Sequence, residues 1–169
     1  MQLWADSLSD DSGFLGLINP AIYSSFVHED WELDQLFQHF RTEMSKRTLL
    51  LWGTGIEGDL KIRVELGDSN ASSAFREISG PIVVTDGGLS LINYESLTMA
   101  AQFPNKQLPE KHLEYCRFSL QAGTYNCNIA QMYDPSSSQT RQGDTDFIIS
   151  LSKTTAACNS WTSIAWSNR

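Results

Sequence analysis

The sequence predicts a mainly β protein, an antiparallel β-sandwich with one amphipathic helix, at about residues 30–46, packed on an edge or a face. Three observations carry this expectation. From Thr48 onward, apolar residues recur with a period of two rather than 3.6. Short runs of them are bounded by Gly, Pro, Asn and Asp, which supply turns. Only one segment holds a helical stripe, and no strand-helix-strand alternation occurs, which argues against a doubly wound sheet.

At 169 residues the chain fits one domain, 1–169, able to bury roughly two thirds of the surface of its unfolded form. Within it, an acidic strand and helix region spans 1–47, the sandwich 48–152 and a low-complexity tail 153–169. Residues 4–8 predict a short strand, and Ser-Asp-Asp-Ser-Gly at 9–13 a turn. Phe14 to Ile18 is an apolar run closed by Asn19-Pro20, because the residue before a proline leaves helical geometry. Residues 21–27 fit a strand or a short helix equally. In the helix, Leu33, Leu36, Phe37, Phe40 and Met44 form one stripe. Asp30 is the expected N-cap, Glu32 and Asp34 lie in the first turn, and Arg41, Lys46 and Arg47 lie near the negative end.

Residues 48–52 read as a buried strand and Gly53-Thr54-Gly55 as its turn. Leu60, Ile62, Val64 and Leu66 alternate with Lys61, Arg63 and Glu65, a strand with one wet face. A loop at 67–73 precedes strands at 75–78 and 82–85, interrupted at Gly80-Pro81, where a bulge or an edge position is expected. Asp86-Gly87-Gly88 then predicts a hairpin turn into 89–93. Residues 94–114 are poorly readable, and 95–103 fits one short helix or a strand. Residues 115–133 predict a hairpin turning at Ala122-Gly123, pairing Leu120 with Tyr125, Phe118 with Cys127 and Cys116 with Ile129 so that every apolar residue shares one face. Residues 134–144 predict a mobile loop, and Phe147, Ile149 and Leu151 the last strand. In the tail, Trp161, Ile164 and Trp166 mark a part that docks.

Charge is distributed unevenly. Residues 1–40 hold seven acids and no Lys or Arg, whereas 41–169 hold thirteen acids against twelve bases, so the net charge of −8 comes almost wholly from the first quarter. Such an excess argues against direct nucleic-acid binding and for a basic protein partner or for solubility. No apolar run approaches the ~20 residues that span a bilayer, so no membrane association is expected. The first residues carry no basic and apolar leader pattern. With three cysteines, an odd number, this predicts a reducing, cytoplasmic setting and no Cys116–Cys127 bond.

Catalytic constellations are missing from the pattern. His28, His39 and His112 have no neighbour at ligand spacing and are expected on the solvated surface, and no Cys-x-x-Cys occurs. Gly53-Thr54-Gly55-Ile56-Glu57-Gly58 imitates a dinucleotide fingerprint but leads into a strand instead of a helix. Asp144 and Asp146 share a strand face with nothing apolar beside them, so both are expected in solvent. Hence no catalytic residue, cofactor or metal is expected, and the chain reads as a non-enzyme. Among the five tryptophans, Trp31 stands out at the helix start amid acids, a pattern that suits a protein-binding hot spot as well as ordinary packing.

The order of elements from Ala74 to Ile129 is distinctive: Phe75, then Pro81-Ile82-Val83-Val84, Asp86-Gly87-Gly88-Leu89-Ser90-Leu91 and, after a connection, Phe118-Ser119-Leu120-Gln121-Ala122-Gly123-Thr124-Tyr125. It resembles the bacterial β-sandwich family of competence protein J. The resemblance implies an inhibitor or immunity-type protein that blocks an effector enzyme or nuclease. Joined to the charge pattern, it makes Asp10, Asp11, Glu29, Asp30, Trp31, Glu32 and Asp34 the expected partner-binding residues. A carbohydrate- or peptide-binding module working through exposed aromatics, or an assembly subunit, is the alternative.

Overall fold

The computed structural model describes residues 1–137 and 144–169. In chain order the strands are β1 (Gln2–Asp10), β2 (Phe14–Ile18), β3 (Leu49–Gly53), β4 (Gly58–Leu66), β5 (Arg76–Val84), β6 (Leu89–Asn93), β7 (Arg117–Phe118), β8 (Gly123–Gln131) and β9 (Phe147–Lys153). Helix α1 (Leu33–Ser45) precedes β3, α2 (Tyr94–Gln102) follows β6, and a 3-10 helix covers Lys111–Cys116. The strands form two sheets, one ordered β1-β4-β9-β8-β5 and one ordered β3-β2-β6-β7. The architecture is mainly β, as expected, with a second α-helix in the segment that the sequence left ambiguous.

The two sheets differ in what covers them, and the sequence reflects it. In the five-stranded sheet, Leu60, Ile62 and Val64 of β4 are buried while Asp59 and Lys61 are exposed, the alternation of a strand with one wet face. In the four-stranded sheet all five residues of β3 are buried, because β3 packs against α1 and also against β5 of the other sheet. Helix α2 likewise packs on β2 and β6. The sheets share one core, in which the rings of Trp52 on β3 and Phe147 on β9 lie 6.2 Å apart.

Several expectations about pairing are corrected. Residues 115–133 do not form a hairpin: Phe118 pairs with Leu89 in one sheet, whereas Tyr125 pairs with Ile82 and Lys153 in the other. The chain crosses between sheets at 119–122, and Tyr125 Oη pins the crossing by donating to the Gln121 carbonyl at 3.0 Å. The turn at 86–88 is also a crossing, from β5 to β6, instead of a hairpin. The strands expected at 75–78 and 82–85 are one strand, β5, and Pro81 is tolerated because β5 lies at the sheet edge. The pairing is not wholly antiparallel, since β4 and β9 run parallel, with Ile62 opposite Phe147. Four intervening strands separate them in the chain, so no hairpin fixes their direction. Of the loop expected at 134–144, residues 138–143 lie outside the described residues.

The tail docks. Trp161 is buried against Gly80, where no side chain would fit, and its indole N–H donates to the Ser79 carbonyl at 2.8 Å. Ala165 adds to the free edge of β3, accepting from Gly53 N–H at 2.8 Å and donating to the Leu51 carbonyl at 3.3 Å. Arg47, just past α1 at φ 63°, holds the strap through Nη2 to the Cys158 carbonyl at 2.7 Å and Nε to Ser160 Oγ at 3.1 Å.

Candidate protein-binding surface

Glu29, Asp30, Glu32 and Asp34 precede and open α1, and all four are exposed. Among the described residues none of them enters an ion pair. The backbone holds them in place: the N–H groups of Val27 and His28 both donate to the Ala101 carbonyl at the end of α2, at 2.8 and 3.1 Å. Helix α1 begins later than expected. Asp30 is not its cap, because the Asp30 N–H is turned back to Nδ1 of His28 at 3.0 Å. Glu32 takes that position, and its N–H donates to Oε1 of Gln35 at 2.8 Å.

Trp31 is half-buried and packs against the core, with its indole N–H buried and unpaired. Sequence reasoning missed the apolar part of this surface. Leu33, expected within the buried stripe, is 41% exposed, and Ile22, Phe26, Met99 and Phe103 are exposed to a similar degree. The two hydrogen bonds to Ala101 set Phe26 alongside the last turn of α2, which carries Met99 and leads into Phe103. Among the described residues, five of the nine large exposed apolar side chains thus belong to two segments tied together next to the four acids, more than the scatter of an ordinary surface.

Asp10 and Asp11 fall elsewhere, beside the start of α2. Asp10 is fully buried, so it presents no surface charge, and the expectation of Asp10 as a contact residue is corrected. Its Oδ1 accepts from Ser12 N–H at 3.1 Å and its Oδ2 lies 3.4 Å from the Thr54 hydroxyl. Burial raises its pKa to about 6, opposed by the Ser12 hydrogen bond and reinforced by Glu95. Asp11 is exposed, and its N–H donates to Oε1 of Glu95 at 3.0 Å. Oε1 of Glu95 also accepts from Ser12 Oγ at 2.7 Å, while Oε2 is buried without a partner. The readable signal for Glu95 was Asn93, which caps α2 by accepting from Ser96 N–H at 3.0 Å.

His28 and His112 are exposed. His39, expected in solvent, is half-buried against Tyr23 with Nε2 unpaired, and burial lowers its pKa. Asp146, also expected in solvent, is buried because its carboxylate accepts from Lys61 N–H at 2.9 Å. All five tryptophans are buried or half-buried. The glycine-rich stretch after β3 is the expected turn, with Gly55 and Gly58 at positive φ. Among the described residues no three His, Cys, Asp or Glu side chains converge to hold a metal ion, and no helix is long and apolar enough to cross a membrane.

No protein-family model matches the chain, and no curated protein matches it in sequence. Solved structures do match in fold. The protein of crocagin biosynthetic gene J superposes with a TM-score of 0.57 at 17% identity, covering 90% of this chain and 97% of that one. ComJ from Bacillus subtilis, an inhibitor of the DNA-degrading activity of NucA, superposes with a TM-score of 0.53 at 13% identity, covering 91% and 98%. The fold resembles that of competence protein J, and the likeness extends well beyond residues 74–129.

Proposed function

We propose that this protein is a non-catalytic inhibitor that binds and blocks an enzyme of effector or nuclease type. Its two sheets would serve as a β-sandwich scaffold within a single domain and present an acid-rimmed face to a basic partner. The observation that carries the proposal is the exposed quartet Glu29, Asp30, Glu32 and Asp34, in no ion pair among the described residues, beside the apolar side chains Phe26, Leu33, Met99 and Phe103. An apolar centre with a charged rim is the composition of a protein interface. The fold shared with ComJ supports an enzyme as the partner, and the acids favour a basic surface on it. In this reading Trp31 braces the segment from beneath and Asp11 lies outside the main contact.

The test begins with capture of partners from the source cells and then measures binding kinetics and the captured enzyme's activity. Reversal of Glu29, Asp30 and Asp34 to Lys, which leaves Glu32 in its capping box, is expected to slow association at least tenfold at low salt and to abolish its salt dependence. The wild-type chain is expected to lower the captured enzyme's activity. Unchanged association of the reversed variant at low salt, or an enzyme that works equally well when bound, would overturn the proposal.

A further inference from the structure

A recess of about 440 Å³ lies between the loop after β2 and the segment joining α2 to β7. That volume is within the range of small-molecule sites. Lys106 and Arg117 line it together with Tyr23, Ser25 and Gln107. Two of the twelve cationic residues of an acidic chain therefore meet in one concavity.

The hydrogen-bonding inventory of its walls is unbalanced. Arg117 is set in place by the pairing of β7 with β6, opposite Ser90, and donates from Nη2 to the Gly87 carbonyl at 3.2 Å, leaving further guanidinium N–H groups for a ligand. Lys106 is held by Glu110 at 3.1 Å through one of its three donors. The Tyr23 hydroxyl is sealed from solvent and so from the recess, which leaves the guanidinium and the ammonium as its charged donors. Among the described residues no carboxylate lines it.

We propose that this recess is a binding site for a small oxyanion-bearing molecule, a phosphate or a carboxylate, held by Arg117 and Lys106. Charge-assisted hydrogen bonds to a guanidinium and an ammonium from two different segments would supply the affinity. The proposal is independent of the inhibitor reading, because it uses none of the residues at the start of α1.

The experiment is a titration of the full chain with inorganic phosphate and, separately, with acetate, followed by amide chemical shifts at constant ionic strength. The expected result is saturable binding by at least one anion, with shifts confined to residues 20–25, 106–108 and 117. Saturation by phosphate alone assigns a phosphate-bearing ligand, and by acetate alone a carboxylate. Arg117→Gln is expected to weaken binding about tenfold, and Arg63→Gln, on β4 and outside the lining of the recess, to leave it unchanged. No saturation with either anion, equal weakening by Arg63→Gln, or unchanged affinity in Arg117→Gln would overturn the proposal.

Discussion

Asp10 shows how far a single acid can differ from its neighbours in sequence. Its carboxyl has no solvent exposure, and burial raises its pKa from 3.8 to about 6. The folded chain therefore holds this proton more tightly than the unfolded one, and stability falls as pH rises between the two values. The full loss is on the order of 3 kcal/mol, at 1.36 kcal/mol per pKa unit. Asp10→Asn keeps an acceptor for Ser12 N–H and removes the charge. Denaturant unfolding should find the variant more stable than wild type at pH 7 by up to ~3 kcal/mol, with the gap closing toward pH 4. A variant less stable than wild type at pH 7 would mean that Ser12 and Thr54 favour the carboxylate more than burial opposes it.

The tail matters at the scale of elements because it covers two free edges at once, β5 through Trp161 and β3 through Ala165. Exposed edges invite pairing with other chains, and a docked strap prevents it. Trp161→Ala should cost ~3 kcal/mol, as large-to-small substitutions of a buried aromatic do. Gly80→Ala should be comparably damaging from the opposite wall, because the added methyl meets the indole ring directly. Tryptophan fluorescence would report displaced Trp161 as a red shift, and Gly80→Ala with wild-type stability and spectrum would show that the tail does not depend on this seat.

For the molecule as a whole, the shared core predicts how the thiols respond. All three cysteines are free. Cys127 is fully buried, Cys116 is buried with its thiol pushed up to about 11, and Cys158 is half-buried in the tail. The thiolate is the reactive form, so a thiol reagent should modify Cys158 first in the native protein and all three after denaturation without a reductant. Rapid native labelling of Cys116 and Cys127 would show that the two sheets separate readily.

Chain pattern by itself determined which strand faces are dry. The alternation in Leu60, Ile62 and Val64, and in Tyr125, Cys127 and Ile129, marks their inward faces, and the unbroken run of Leu49 to Trp52 marks a strand covered on both sides. The helical stripe and the acids around Trp31 were legible for the same local reason. Partner strands were not, because a period of two states which face is buried and is silent on the neighbour: Phe118 and Tyr125 point into one core from opposite sheets, with the alternation a hairpin would give. Only the tertiary structure buried Asp10 beneath the start of α2, left Leu33 in solvent, and set Lys106 and Arg117 around one recess. Each of those outcomes depends on contacts between segments far apart in the chain, and no local periodicity carries that information.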